Sequence, residues 1–340
     1  MRIKDIAREA GVSTATVSHV INKTKYVSDP TRDKVEAAIK KFGYHPNAHA
    51  QMLALGKSKI IGLLVSDISN PFFPEIIKSI EASVIAAGYN LFLLNTNYET
   101  ERTLEYVQRL IQMKVAGIIL MVGEFDEALI KEAKRKKTSF VFQDLGFVGE
   151  KSSNIILDYA AGIDEAVQHL VSLGHTDIVH IGGAHEIYSA GVRWHAFVDA
   201  MKKHLPKQPE PRIFEGDFRF EGGRLAASQV LAEKTLPTAV VVANDLMALG
   251  AMQEFKAAGL HVPKDISIIG FDDISFASLS EPALTTVCSP RVEIGKQSVE
   301  ALLLTVDKAH QQGIEVRIPT FLVKRDSTAP PRSGGGPRHS

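Results

Sequence analysis

KDIAREAGVSTATVSHVIN, residues 4–22, reads as two short helices about a tight turn. Ile6, Ala7 and Ala10 put small and apolar side chains on one face of the first helix, and Gly11 follows where a left-handed residue costs least. Ser13 is placed to cap the second helix. In that helix Val17, Val20 and Ile21 recur at i, i+3 and i+4 and turn inward, which leaves Thr14, Ala15, Ser18, His19 and Asn22 on the outer face. That face is short, polar and uncharged, so it can approach base edges and sugar-phosphate closely, as the second helix of a helix-turn-helix does. Asp29 and Pro30 then offer an N-cap and an N1 residue to a third helix, whose stripe of Val35, Ala38, Ile39 and Phe42 closes a three-helix core. Caps, turn and stripe all agree, which a helical cluster without a partner would not require.

Charge divides along the chain. Its 340 residues carry 39 basic and 39 acidic side chains, a formal net of zero. Up to Lys59, however, eleven basic residues, Lys4, Arg8 and Lys25 among them, stand against five acidic ones; the remainder carries twenty-eight against thirty-four. A basic head on an acidic body is the electrostatic footprint of a nucleic-acid-binding module joined to something else. The length suits a small head with a two-lobed body rather than one core. The opening residues lack an apolar signal region and no apolar run approaches a membrane span, so a cytoplasmic protein with no membrane partner is expected. The single cysteine, Cys288, excludes an intrachain disulfide and any multi-cysteine zinc site, and reads as a small buried hydrophobe. APPRSGGGPRHS, residues 329–340, reads as a disordered tail.

From Ile60 onward, short β-rich runs alternate with amphipathic helical patterns. The runs are IIGLLV (60–65), NLFLLN (90–95), AGIILMV (116–122), SFVFQ (139–143), DIVHIG (177–182), TAVVVA (238–243) and DISIIGF (265–271). Such alternation predicts parallel sheets covered by helices on both faces, with ligands beyond the carboxyl ends of the strands. The loops at 66–73, 143–146, 183–193, 244–245 and 272–276 are therefore the candidate site.

IKDIAREAGVSTATVSHVIN, the junction YHPNAHAQMLALGKSKIIGLLV, SDISNPFF, VRWHAF, TAVVVANDLMALGAM, VPKDISIIGFDD and PALTTV together resemble the LacI/GalR family of transcription repressors, and the resemblance runs to about Thr328. It implies a small all-α helix-turn-helix headpiece over residues 1–45, a hinge helix and linker over 46–59, and an α/β body over 60–328. That body would be two-lobed and similar to periplasmic binding proteins, with parallel sheets in Rossmann-like lobes joined by three crossovers. One lobe would span about 60–160 and 290–320, the other about 162–288 and 321–328. The partners implied are an operator in double-stranded DNA, a second copy of the chain and a small-molecule effector; no cofactor and no metal is implied.

The headpiece is most similar to that of purine-responsive members. By that resemblance Thr14, Thr16, His19 and Asn22 are groove or backbone contacts, with Ala15 and Ser18 on the same face, and Lys4, Arg8 and Lys25 neighbour phosphates. Ala15 departs from the longer polar residue often found there, so one operator base should differ. PNAHAQMLAL, residues 46–55, is helix-competent but too short to be stable alone, and should fold only when bound. Leu53 matches the leucine that family members wedge into the minor groove, kinking the duplex; packing against its dimer mate is the plainer alternative. His49 is an unusual residue for this hinge and a further candidate groove contact.

In the body, Arg193 offers a guanidinium fork, Asp272 a carboxylate and Asn244 an amide, a set suited to adjacent sugar hydroxyls. Phe72, Phe73 and Phe218 can stack on the apolar side of a ring. Each also has a structural alternative: capping for Asn244 and Asp272, an ion pair for Arg193, the core for Phe73. The family's binding positions favour Arg193 and Asp272 and add Asp144. Where purine-responsive members carry an arginine, this chain has Ile187. The expectation is therefore a repressor of a carbohydrate-utilisation operon, bound as a dimer to a pseudo-palindromic operator and released by a sugar-like effector. The alternatives are a purine-like corepressor or a phosphorylated carrier protein, for which the basic run Lys131, Lys134, Arg135, Lys136 and Lys137 is the candidate patch. No P-loop, G-x-S-x-G, H-E-x-x-H or strand-borne G-x-G-x-x-G is present, so an enzyme is not expected.

Overall fold

In the computed structural model, residues 2–22, 24–44, 58–123, 131, 138–144, 147–307 and 310–332 are described. His49, Leu53 and 134–137 lie outside them, as do 333–340 of the tail. The chain divides into two compact units, Met1–Lys59 and Ile60–Ser340.

The first unit holds α1 (Ile3–Ala10), α2 (Thr14–Asn22) and α3 (Asp29–Phe42). Its core is Ile6, Ala7, Ala10, Val17, Val35 and Ala38, with Val20, Ile21, Ile39 and Phe42 half-buried against it. Gly11 ends α1 at φ 67°, and the amide of Val12 reaches back 3.0 Å to the Ala7 carbonyl, so the tight turn depends on a residue free to be left-handed. Ser13 Oγ accepts from the Thr16 amide at 3.1 Å and caps α2. At α3 the sequence reading was one residue late: Ser28 is the N-cap and Asp29 is already helical, where its carboxylate instead pairs with Arg32 at 2.9 Å.

The second unit runs β1 (Ile60–Val65), α4 (Phe72–Ala86), β2 (Asn90–Asn95), α5 (Thr100–Gln112), β3 (Gly117–Met121), β4 (Ser139–Gln143), β5 (Ser152–Asp158), α6 (Tyr159–Ser172), β6 (Ile178–Gly182), α7 (Tyr188–His204), β7 (Ile213–Glu215), α8 (Phe220–Leu231), β8 (Ala239–Val242), α9 (Asp245–Ala257), β9 (Ser267–Asp272), α10 (Ser275–Leu279), β10 (Thr285–Cys288), α11 (Arg291–Val306), β11 (Glu315–Pro319) and β12 (Phe321–Val323). Among the described residues these strands form two six-stranded sheets, in the orders β11-β5-β4-β3-β1-β2 and β12-β10-β9-β8-β6-β7. The central strands are buried on both faces, as the apolar runs required: GIILM of β3, IVHIG of β6 and AVVV of β8 are buried throughout.

Two expectations need correction. The second sheet is not wholly parallel, because β12 returns antiparallel to β10 after the short crossing at Thr320. The tail is not free from Ala329 onward: the Ala329 amide donates to Ser267 Oγ at 3.0 Å, its carbonyl meets His175 Nε2 at 2.8 Å, and Arg332 pairs with Asp265. Backbone hydrogen bonds and an ion pair thus hold 329–332 against the second sheet despite their composition.

The chain passes between the sheets at three places: β5 to α6, β10 to α11, and β11 to β12. Thr320 ties the first to the third, donating to the Asp158 carbonyl at 2.6 Å and accepting from the Gly162 amide at 3.2 Å. Gly162 allows that approach, since a Cβ there would lie 2.5 Å from Thr320 Oγ1 and 2.3 Å from Val287 Cγ1.

Candidate functional site

On the outward face of α2, Thr14 and Ala15 are exposed while Thr16, Ser18, His19 and Asn22 are half-buried; Lys4 and Lys25 are exposed on the same unit. The side chains order one another. Ser13 Oγ lies 2.9 Å from Thr16 Oγ1, His19 Nδ1 lies 2.8 Å from Thr24 Oγ1, and Asn22 donates to Ser18 Oγ at 3.1 Å. None of these residues carries a fixed charge, and each neutral bond is cheap to exchange for a base or phosphate contact.

The second site lies in the body, where the carboxyl ends of both sheets open into one cleft of about 580 Å³, open solvent at its mouth included. Phe72, Phe73, Asp144, Arg193, Phe218, Asn244 and Asp272, scattered over two hundred positions, all line it. The alternation of strand and helix explains why, since all but Arg193 stand at or shortly after a strand end or at the start of α4, and Arg193 reaches in from the second turn of α7.

Arg193 is the centre of the floor. It projects from α7, is only 5% exposed, and has its guanidinium carbon 4.3 Å from the ring of Phe271, 5.0 Å from Tyr159 and 5.4 Å from Phe218. A cation in that cage gains from three ring faces, and burial strengthens the attraction. It also donates to the Ala243 carbonyl and, at 3.4 Å, to Asp272 Oδ1. Burial pushes the Asp272 carboxyl up to about 6, while Arg193 and Arg291 oppose the rise. Asp144 accepts from the Tyr159 hydroxyl at 2.6 Å and the Leu157 amide at 2.9 Å. Burial raises its pKa too, against the pull of those hydrogen bonds and Arg193. Tyr159 is shifted well upward by burial and by the Asp144 charge, so it stays a donor. Among the described residues, Arg193 Nε and Gln143 Oε1 are buried without a hydrogen-bond partner. Both residues line the cleft.

Asn244 lines the cleft, and its amide is already engaged within the protein. Its Oδ1 accepts from the Met247 amide at 2.9 Å and its Nδ2 donates to the Phe218 carbonyl at 2.9 Å, so the amide caps α9 and fixes the loop carrying Phe218. Phe72 and Phe73 meet edge to face at 5.3 Å and are almost wholly buried, which makes them a wall rather than free stacking platforms. Ile187 lines the cleft as an apolar surface.

Sequence reading of single residues missed Tyr159, Gln143, Tyr98 and Ser66, which also line the cleft. Gln143 and Ser66 fell within the loops that the strand-end rule marked. Tyr159 did not, because the strand before it opens with Ser152, Ser153 and Asn154 and lacks an apolar run long enough to stand out. His180, by contrast, is a core residue: it stacks 5.0 Å from Phe197, and burial lowers its pKa to about 3. Among the described residues no group of three metal-ligating side chains occurs, and no helix is long and apolar enough to cross a membrane.

Residues 2–47 match the family described as bacterial regulatory proteins, lacI family, and residues 167–328 match the periplasmic binding protein-like domain. The chain is 38% identical over 329 residues to the HTH-type transcriptional repressor PurR of Erwinia tasmaniensis, covering 96% of each. It is also 38% identical over 328 residues to the ribose operon repressor of Escherichia coli strain K12, covering 96% of this chain and 99% of that one. The crystal structure of the Lac repressor dimer bound to operator and an anti-inducer superposes with a TM-score of 0.87 at 32% identity, covering 97% of this chain and 99% of that one. These relatives are transcriptional repressors, not enzymes. A helix-turn-helix head, a two-sheet body with a cleft at its strand ends, and relatives alike over nearly their whole length lead to one conclusion: the chain belongs to the lacI family of bacterial regulatory proteins, as a DNA-binding transcriptional regulator that responds to a small molecule.

Proposed function

We propose that this chain is a cytoplasmic, homodimeric repressor of a carbohydrate-utilisation operon, and that a sugar or sugar derivative in the cleft releases it from a pseudo-palindromic operator. The observation that carries the sugar reading is the floor of the cleft. Arg193 Nε and Gln143 Oε1 are unpaired, and Asp272 stands beside the guanidinium. A hydroxyl both donates and accepts, so two adjacent hydroxyls can satisfy donor, acceptor and carboxylate together. Phe218 and the Phe72 and Phe73 wall cover the apolar face of the ring. The ribose operon repressor among the relatives makes D-ribose the first ligand to test.

The working parts follow from this reading. Residues 1–45 form the headpiece, 46–59 the hinge and linker, and 60–328 the effector-binding and dimerising body. One lobe comprises about 60–160 and 290–320, the other about 162–288 and 321–328. Thr14, Ala15, Thr16, Ser18, His19 and Asn22 meet the major groove, Lys4 and Lys25 the phosphates, and His49 and Leu53 the minor groove at the dyad. Ligand closes the lobes, the paired hinges move out of register, and the operator is released in proportion to the ligand's differential affinity for the two forms.

Similarity to purine repressors favours a second reading, in which a purine base is a corepressor. Apolar Ile187 in the cleft wall weighs against it, because it offers a purine edge no hydrogen bond. Isothermal titration of the full-length chain with D-ribose, other pentoses and hexoses, guanine and hypoxanthine separates the two. The sugar reading expects saturable heat with a sugar and none with the bases; tight binding of guanine with no response to any sugar would replace it.

A further inference from the structure

We propose that Arg291 is the positioning residue that couples the Asp272 loop to the start of α4. It transmits the state of the cleft across the lobes through Glu75. The inference is independent of which ligand fills the cleft.

Arg291 is the first residue of α11, immediately after the chain leaves β10 in the second sheet. The rest of α11 packs on β3, β4 and β5 of the first sheet and on α4. Arg291 therefore stands on the crossing itself. Its guanidinium grips both sides. Nη1 donates to the backbone carbonyl of Asp272, at the end of β9, and Nε donates to Glu75 Oε2 at 2.7 Å, in the first turn of α4. The arginine side chain is 14% exposed and that of Glu75 36%, so the pair is screened less than an ordinary surface ion pair.

What Arg291 holds is a strained segment. Asp272 and Asp273 are consecutive non-glycine residues at φ 110° and 55°, a conformation that persists only where neighbours over-determine it. Three groups do so. Arg291 takes the Asp272 carbonyl, the buried carboxylate of Asp245 accepts from the Ile274 amide at 2.8 Å, and Arg325 pairs with Asp273 at 2.5 Å. Asp245 and Arg325 belong to the same lobe as the loop; Arg291 alone of the three leads out of it.

The far end is stiff as well. Ser79 of α4 donates to the Val292 carbonyl at 2.8 Å, and a Cβ on Gly295 would lie 2.6 Å from Ser79 Oγ and 3.1 Å from the Ile80 nitrogen. The two helices pack closely at Gly295 and are tied by a side chain to a backbone carbonyl, so they move together. Phe72 and Phe73, which wall the cleft, open α4 one turn from Glu75. A ligand that shifts Asp272 thereby displaces Arg291, and with it α11 and α4.

Hydrogen exchange on the full-length chain, without ligand, tests this. Glu75→Gln and Arg291→Met are each expected to speed exchange of the amides at 272–276 about tenfold, as for loss of a charged hydrogen bond. The double variant should be no faster than Arg291→Met alone, and Arg291→Lys, which keeps the charge but not the fork, should fall between wild type and Arg291→Met. Unchanged exchange at 272–276 in Glu75→Gln, or additive effects in the double variant, would overturn the coupling. No sugar enters the measurement, so its outcome is separate from that of the effector titration.

Discussion

The outer face of α2 and the floor of the cleft are both polar, yet they are built in opposite ways. The helix face exposes Thr14 and Ala15, carries no fixed charge, and arises from nine consecutive residues. The floor buries a cation and a carboxylate, Arg193 and Asp272, with the half-buried Asp144 nearby, and the three meet only after the chain has folded. A surface that must touch a long, hydrated partner works best with weak internal bonds that exchange easily. A pocket that must enclose a small ligand needs its groups fixed beforehand, and the fixing spends burial and charge. Substitutions in the cleft should therefore cost stability as well as function, while those on the helix face should cost function alone.

The sharpest way to break that contrast is Arg193→Met. It removes the guanidinium paired with the Asp272 carboxyl and takes the charge out of the aromatic cage, so the body should lose about 3 kcal/mol or more and its sugar response, with DNA binding of the remaining folded protein retained. Thermal unfolding and operator titration read the two effects; a melting curve like that of wild type would contradict the central role of the ion pair.

Next comes pH. The Asp272 carboxyl titrates at about 6 in the folded chain, above its ordinary 3.8, so the native state holds an extra proton between those values. Its stabilising share is complete below pH 4 and lost as the pH rises through 6, on the order of 3 kcal/mol. Sugar hydroxyls that donate to the ionised carboxylate should bind more tightly over the same rise. Asp272→Asn should flatten both profiles; parallel profiles in wild type and variant would remove Asp272 from the linkage.

The headpiece should respond on a smaller scale. Ser13→Ala removes the cap of α2 and should lower headpiece stability by about 1 kcal/mol, measured by chemical denaturation. Ala15→Gln, at an exposed helical position, should change stability by no more than about 0.5 kcal/mol yet alter the preferred base at one position of each half-site. A selection from randomised DNA that returned the same consensus for both proteins would take Ala15 off the base-reading face.

The same contrast governs how much could be read beforehand. The headpiece was legible because its cap, glycine and stripe are local: Ser13, Gly11 and Val17 lie within seven positions. The buried central strands were legible because both faces are apolar, as in GIILM and AVVV. Edge strands were not. β7 has three residues, and Glu315 and Arg317 interrupt β11, whose pairing with β5 supplies what its pattern lacks. In the cleft, strand ends indicated where to look, and similarity to the family picked out Arg193, Asp272 and Asp144. The use of Asn244 as a cap, the tyrosine that holds Asp144, and the Arg291 bridge to Glu75 depend on approaches between distant segments, for which no local pattern exists.

The most direct test of the central claim is selection of genomic DNA fragments by the full-length chain, with and without D-ribose and the other sugars of the titration, in parallel with Asp272→Asn. The account predicts a pseudo-palindromic consensus for both proteins, and loss of recovery in one sugar for wild type alone. Recovery of fragments without two-fold symmetry, or release of both proteins by the same sugar, would contradict it.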